Sequence, residues 1–243
     1  MKVIYEPTGK AREFGDLACN LYRGCSHGCF YCYAPSILRM EKEKFLQPEP
    51  RKDIIKHLSK DAERYRGSTF PIFLSFTTDP YQPIEREFQI TRQALEILTA
   101  NNCAINILTK GGSLACRDFD ILQQNPRNWF GVTLTYGYSH ASEAFEPGAA
   151  LPHYRIKSLK TAKYLGINTW VSLEPIMSPT MAMELIRATI DFTDLYKIGK
   201  LNHQPGMGPS GEELRAFLKE ALELLEANGK RYYIKQDTRP FLK

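Results

Sequence analysis

Three cysteines crowd together in the stretch Arg23-Gly24-Cys25-Ser26-His27-Gly28-Cys29-Phe30-Tyr31-Cys32-Tyr33. Thiolates at the spacing C-x3-C-x2-C can wrap one side of a metal cluster from a short loop. Ordinary iron–sulfur carriers supply four protein ligands. Cys25, Cys29 and Cys32 alone would leave one iron open, and an open coordination position is what chemistry needs. Gly24 and Gly28 let the backbone come close and take positive φ where required. The competing reading is a structural zinc site, in which Cys29 and Cys32 form a C-x2-C pair and Cys19, Cys25 or His27 completes a tetrahedron. Zinc modules normally draw a second ligand pair from farther along the chain, and none is evident. Cys19, Cys103 and Cys116 are scattered, so the six cysteines do not form a disulfide framework.

The elements that must carry this loop alternate between strand and helix. The segment 16–21 reads as a first strand and 51–65 as a first helix. Apolar runs at 71–76, 103–108, 130–134, 169–173, 195–198 and 232–234 read as further strands. Between them, helices are expected at about 84–100 and 117–124, from Pro152 to Gly166, after the Ser178-Pro179 pair, and from a Ser210/Glu213 capping box to Gly229. Strand–helix repeats with short connections imply a parallel sheet with right-handed crossovers. About six units are countable, fewer than a closed barrel needs. The expectation is an α/β chain forming a partial, open (β/α)6 TIM-like barrel, with residues 1–243 as one domain. In such barrels chemistry sits at the C-terminal ends of the strands.

Composition sets outer bounds. Hydrophobic residues at 43% suffice for a sizeable core, and 24% charged residues fit a water-soluble domain. No uninterrupted apolar run approaches the roughly 20 residues that span a bilayer. The first residues, Met1 to Pro7, lack the apolar stretch of a signal peptide, so a cytoplasmic protein with no membrane partner is expected. A net charge of +5 permits an anionic partner without demanding one.

The cysteine stretch resembles the C-x3-C-x-Φ-C motif of the radical S-adenosylmethionine (SAM) superfamily, with Tyr31 as the aromatic residue before the last cysteine. Four segments narrow the resemblance to relatives of spore photoproduct lyase. They are Asn20 to Cys29, Thr77-Thr78-Asp79-Pro80-Tyr81-Gln82-Pro83-Ile84-Glu85, Leu108-Thr109-Lys110 with Arg117-Asp118, and Glu146-Pro147 with Arg155 and Gly166-Ile167. The resemblance implies the partial-barrel radical SAM core and a [4Fe–4S] cluster on Cys25, Cys29 and Cys32. It further implies SAM chelating the fourth iron, and a reducing electron donor of the flavodoxin or ferredoxin type. One electron would cleave SAM to methionine and a 5′-deoxyadenosyl radical that abstracts hydrogen from the substrate. Thr77, Thr78 and Asp79, after the second strand, become candidate contacts to SAM, with Tyr31 beside the cluster. Lys110, Ser172 and Glu174, at other strand ends, become candidate SAM or substrate contacts.

Departures from that pattern limit the substrate. Spore photoproduct lyase carries a catalytic cysteine at the end of its second strand, whereas this chain has Ser75-Phe76-Thr77-Thr78. Thymine-dimer repair is therefore disfavoured, and no catalytic hydrogen donor is assigned. Val171-Ser172-Leu173-Glu174-Pro175 places a carboxylate where the family ends its fifth strand with small apolar residues. Three functions stay open: a radical SAM enzyme acting on a nucleic acid or nucleotide, one acting on a small molecule or peptide, and a non-catalytic iron–sulfur or zinc module. Tyr31, Tyr33, Tyr81 and Tyr136 could stack on bases under the first.

Overall fold

Apolar side chains on alternate positions build seven parallel strands in the computed structural model, which describes residues 2–202 and 206–242. The strands are β1 (Leu17–Ala18), β2 (Ile72–Leu74), β3 (Ile105–Thr109), β4 (Trp129–Thr133), β5 (Asn168–Ile176), β6 (Leu195–Lys200) and β7 (Arg231–Ile234). They pair in chain order, from Leu17 opposite Ile72 to Ile198 opposite Ile234. Among the described residues β1 and β7 do not pair, so the sheet curls into an open half-barrel. Helices α1 (Ile54–Arg64), α2 (Ile90–Ala100), α3 (Phe119–Leu122), α4 (Pro152–Tyr164), α5 (Pro179–Thr189) and α6 (Gly211–Ala227) follow the first six strands in turn. The six strand–helix units are thus present, and a seventh strand ends the sheet.

Local chemistry fixes the boundaries. Ser178 accepts a hydrogen bond from the Met181 amide at the start of α5, and both halves of the Ser210/Glu213 capping box are made at α6. Two elements differ from the pattern expected. The first strand stops at Ala18 because Asn20 turns away, its side-chain oxygen taking the amides of Phe76 (2.8 Å) and Thr77 (3.0 Å). Tyr22–Arg23 then pairs antiparallel with Glu49–Pro50. The helix expected over 84–100 is broken at Gln89, where φ is +49°. The fully buried Glu85 carboxylate accepts the Thr91 amide at 2.9 Å, capping α2 afresh. It also holds Arg117 at 2.7 Å, and no amphipathic period could signal such a cap.

Alternation along the strands sorts packing from chemistry. Ile72, Leu74, Ile105, Ile107, Val171, Leu173, Tyr196 and Ile198 face outward into one core with α1, α2, α5 and α6. A fully buried aliphatic side chain there contributes about 1.5–3 kcal/mol. The inward positions differ: Ala18, Phe73 and Trp170 form a small aromatic cluster with Phe14 and Phe76. Beyond that floor the inward side chains become polar: Ser172 and Glu174 on β5, and Lys197 on β6. Among the described residues no helix is long and apolar enough to cross a membrane.

Lys197 gives the barrel floor a pH signature. It is 9% exposed, and its Nζ donates to the backbone oxygens of Glu13 (2.8 Å) and Phe14 (3.0 Å). Burial, reinforced by the nearby Lys235 charge, brings its pKa down to about 8 from the ordinary 10.5. Between those values the unfolded chain binds a proton that the folded chain has released. Folding stability therefore rises with pH across this window, and the cost of the buried charge is fully present below it. Urea titrations should show wild-type stability gaining up to roughly 3 kcal/mol over Lys197→Met between these pH values. Parallel curves for the two proteins would exclude the assignment.

Candidate active site

A cavity of about 450 Å³ opens at the C-terminal ends of the strands. Cys25, Cys29, Cys32, Tyr31, Thr77, Thr78, Asp79, Lys110, Ser172 and Glu174 all line it. Residues distant in sequence are brought together because each follows, or ends, a strand of the same curled sheet. Of the four tyrosines considered for stacking, Tyr31 and Tyr33 line the cavity. Tyr81 is buried with its hydroxyl on Asp118 (3.1 Å), and Tyr136 packs flat against Phe145.

The cysteine loop is pinned by polar side chains from β2 and its following turn. Thr78 Oγ1 donates to the Gly24 carbonyl at 2.6 Å. Gln82, wholly buried, accepts the Ser26 amide at 3.0 Å and donates to Thr78 Oγ1 at 2.9 Å. The Cys25 amide donates to the Phe45 carbonyl at 2.8 Å. Gly24 sits at φ +84°, and a Cβ there would lie 2.6 Å from the Phe45 oxygen, so only glycine permits this path. Asp79 is occupied by internal bonds: Thr109 Oγ1 at 2.6 Å, the Lys110 amide at 2.7 Å and the Tyr81 amide at 2.8 Å. His27 Nδ1 lies 3.5 Å from the same carboxylate, and burial holds the imidazole pKa below its usual value against that attraction. Arg23, by contrast, is exposed on its short ribbon.

Behind the loop lies a buried ionic network. Glu146 and Arg155 are each 0% exposed by side chain and pair at 2.6 Å. Arg155 also donates to the carbonyls of Ala150 (2.6 Å) and Thr133 (3.1 Å). Although burial works against ionisation of Glu146, Arg155 and Lys110 hold its pKa below the ordinary carboxylate value. The Tyr31 hydroxyl donates to Glu146 and lies 3.1 Å from Thr135 Oγ1. Lys110 Nζ stands 4.0 Å from Glu146 and 5.4 Å from the Tyr31 ring centre. The aromatic residue of the cysteine motif is thereby fixed from the protein side.

The donor set fits an iron–sulfur cluster with an open corner. Burial pushes the Cys25 thiol pKa far up, that of Cys29 to about 11, and that of Cys32 upward as well. A bound metal would supply positive charge that favours the thiolates there, as the Lys110 charge does for Cys29 and Cys32. Among the described residues no three His, Cys, Asp or Glu side chains are arranged to hold a single metal ion. Cys19 is buried in the core and absent from the cavity wall.

Several site residues escape sequence reasoning about roles. Asn20, Gln82, Glu146 and Arg155 lie within the quoted motif segments, yet their function as struts appears only in three dimensions. Lys10 and Asn202 line the cavity without any motif to mark them, and Lys235 joins them from the segment Tyr233-Ile234-Lys235-Gln236-Asp237, which resembles the F-K-Q segment of phage-associated proteins with a related cysteine motif. Lys10 donates to Asn202 (3.0 Å) and Asp237 (2.7 Å), tying the N-terminal segment to the far end of the sheet.

The family model of the Radical SAM superfamily matches residues 19–193. The chain belongs to this superfamily. An uncharacterised protein of Methanocaldococcus jannaschii is 29% identical over 189 residues, covering 75% of this chain and 69% of the relative. A protein of Pseudomonas phage M6 named radical SAM Nalpha-GlyT isomerase is 27% identical over 166 residues, covering 67% of this chain and 33% of its own length. Among solved structures, a spore photoproduct lyase variant superposes with TM-score 0.70 at 14% identity, covering 97% of this chain and 79% of that one. Streptococcus suis SuiB bound to SAM gives TM-score 0.65 at 14% identity, covering 89% and 49%. The structural likenesses concern the fold. Superfamily membership makes the chain an enzyme of the radical SAM type, a class that uses SAM and an iron–sulfur cluster.

Proposed function

We propose that this protein holds a [4Fe–4S] cluster on Cys25, Cys29 and Cys32, cleaves SAM reductively, and acts on a nucleic acid or nucleotide. When bound, the cluster supplies the electron that splits SAM into methionine and a 5′-deoxyadenosyl radical. The chain's own residues hold and shield this chemistry. Thr78 and Gln82 fix the loop, Tyr31 is locked by Glu146, and Lys110 presents a cation beside them. Thr77, Thr78, Asp79, Lys110 and Ser172 are the proposed SAM-facing set.

The observation that carries the substrate reading is the charge of the cavity wall. Lys10, Lys110, Lys200 and Lys235 line it; Lys10 pairs with Asp237, Lys110 stands 4.0 Å from Glu146 and Lys235 3.5 Å from Glu174, while Lys200 has no ion pair among the described residues. An uncompensated cation on the wall favours an anionic substrate such as a phosphodiester. A spore photoproduct lyase structure is described as complexed with a dinucleoside photoproduct, which accords with the nucleoside part of this reading and not with its charge.

The test is anaerobic incubation of reconstituted protein with SAM and a strong reductant, with and without oligodeoxynucleotides and oligoribonucleotides. The expected result is 5′-deoxyadenosine that depends on protein and reductant, with deuterium passing into it from a labelled oligonucleotide. A colourless, zinc-loaded protein that leaves SAM intact would overturn the proposal. Deuterium arriving from peptides but from no nucleic acid would overturn its substrate half.

A further inference from the structure

Two oppositely charged side chains meet on the cavity wall, and one carboxylate oxygen of the pair accepts no hydrogen bond among the described residues. Glu174, near the end of β5, and Lys235, just past β7, both line the cavity. Lys235 is 2% exposed, and its Nζ lies 3.5 Å from Glu174 Oε2 and 3.9 Å from Glu13 Oε1. Glu174 Oε2 is buried and, among the described residues, accepts no hydrogen bond. Glu13 is otherwise engaged, accepting from the Tyr233 hydroxyl at 3.1 Å and the Gln236 amide at 2.8 Å. The Phe14 ring centre lies 3.6 Å from Lys235 Nζ, which offers a π-face and no acceptor. The space for the pair is built in: a Cβ on Gly199 of β6 would lie 2.8 Å from Glu174 Cδ and 3.0 Å from Lys235 Cγ.

A buried polar group left short of partners is costly, and at a cavity wall a ligand can make up the shortfall. An ammonium only donates and a carboxylate only accepts. One ligand satisfies both when it carries a carbonyl and an N–H side by side. The lactam edge of thymine, uracil or guanine places them on one edge of a flat ring. Phe76 and Tyr33 line the same cavity and offer aromatic faces to such a ring.

We infer that Glu174 and Lys235 form a subsite for the lactam edge of a nucleobase, Glu174 accepting the ring N–H and Lys235 donating to the adjacent carbonyl. The inference rests on the nucleic-acid reading above and reassigns Glu174 from SAM to the substrate.

The test is fluorescence anisotropy at low salt, using cluster-loaded protein with SAM and short labelled oligothymidylate, oligoadenylate and oligo(N3-methylthymidylate). Wild type should bind oligothymidylate at least about tenfold more tightly than oligo(N3-methylthymidylate), whose ring N–H is blocked. Glu174→Gln and Lys235→Met should each erase that preference while SAM affinity stays as in wild type. Equal binding of the three oligonucleotides by wild type overturns the subsite but leaves the nucleic-acid reading standing. No binding of any of them overturns both. A preference that survives in Glu174→Gln, with SAM affinity lost, returns Glu174 to the cofactor and overturns the inference. The methylated oligonucleotide keeps the test decisive on wild-type protein should a variant fail to fold.

Discussion

Alanine at any one of Cys25, Cys29 or Cys32 is expected to give protein that retains no four-iron cluster after anaerobic reconstitution and forms no 5′-deoxyadenosine above the enzyme-free control. Each cysteine is the sole thiol at its corner of the loop, and a cluster already lacking a fourth protein ligand has none to spare. The same substitution elsewhere supplies the contrast. Cys19 is sealed in the core with its thiol pKa raised to about 12, and Cys103 donates to the Tyr65 carbonyl at 3.3 Å. Alanine at Cys19, Cys103 or Cys116 should leave iron and sulfide content at the wild-type level. Iron and sulfide analysis with the visible absorption spectrum checks all six variants. Full iron content in Cys29→Ala, or its loss in Cys116→Ala, would contradict the ligand assignment.

Arg155→Met should destabilise the fold by about 3–5 kcal/mol, because it strands the Glu146 carboxylate in a dry interior. Lys110, at 4.0 Å, is too far to replace the lost 2.6 Å pair. The midpoint of urea unfolding reads the effect. Adding Glu146→Gln to Arg155→Met should recover part of the loss, since the second change removes the stranded charge. The surface pair Arg187–Glu220 makes the control: both side chains are more than half exposed, and Arg187→Ala should cost about 1 kcal/mol or less. Equal effects at Arg155 and Arg187 would exclude the buried network as a source of stability.

What could be seen in advance follows the range of the interactions involved. Helix caps such as Ser178 and Ser210 act within a few residues, so their signatures stand in the sequence and reappear in the structure. The alternation of strand and helix likewise depends on local periodicity. The cysteine loop is legible because its three thiols share one short segment. Contacts that join distant segments are not. Glu85 breaks an otherwise continuous helix because it is needed by Thr91 and by Arg117, and the second partner comes from beyond β3. Glu146 reaches Tyr31 across 115 positions, and Lys235 meets Glu174 only because the sheet brings β5 and β7 round the glycine at 199. The strand ends were identifiable as the chemical face, but the division of labour among them depends on which polar atoms the fold already satisfies. Asp79 accepts three hydrogen bonds within the protein whereas Glu174 Oε2 accepts none among the described residues, and nothing in either local sequence distinguishes them.

Electron–nuclear double resonance of the anaerobically reduced protein, recorded with SAM isotopically labelled at its amino nitrogen and carboxylate, bears most directly on the open iron corner. Coupling of both labels to the cluster is expected, together with its disappearance in Cys29→Ala. A four-iron signal indifferent to the labels, with a histidine or cysteine of this chain coupled in their place, would contradict it.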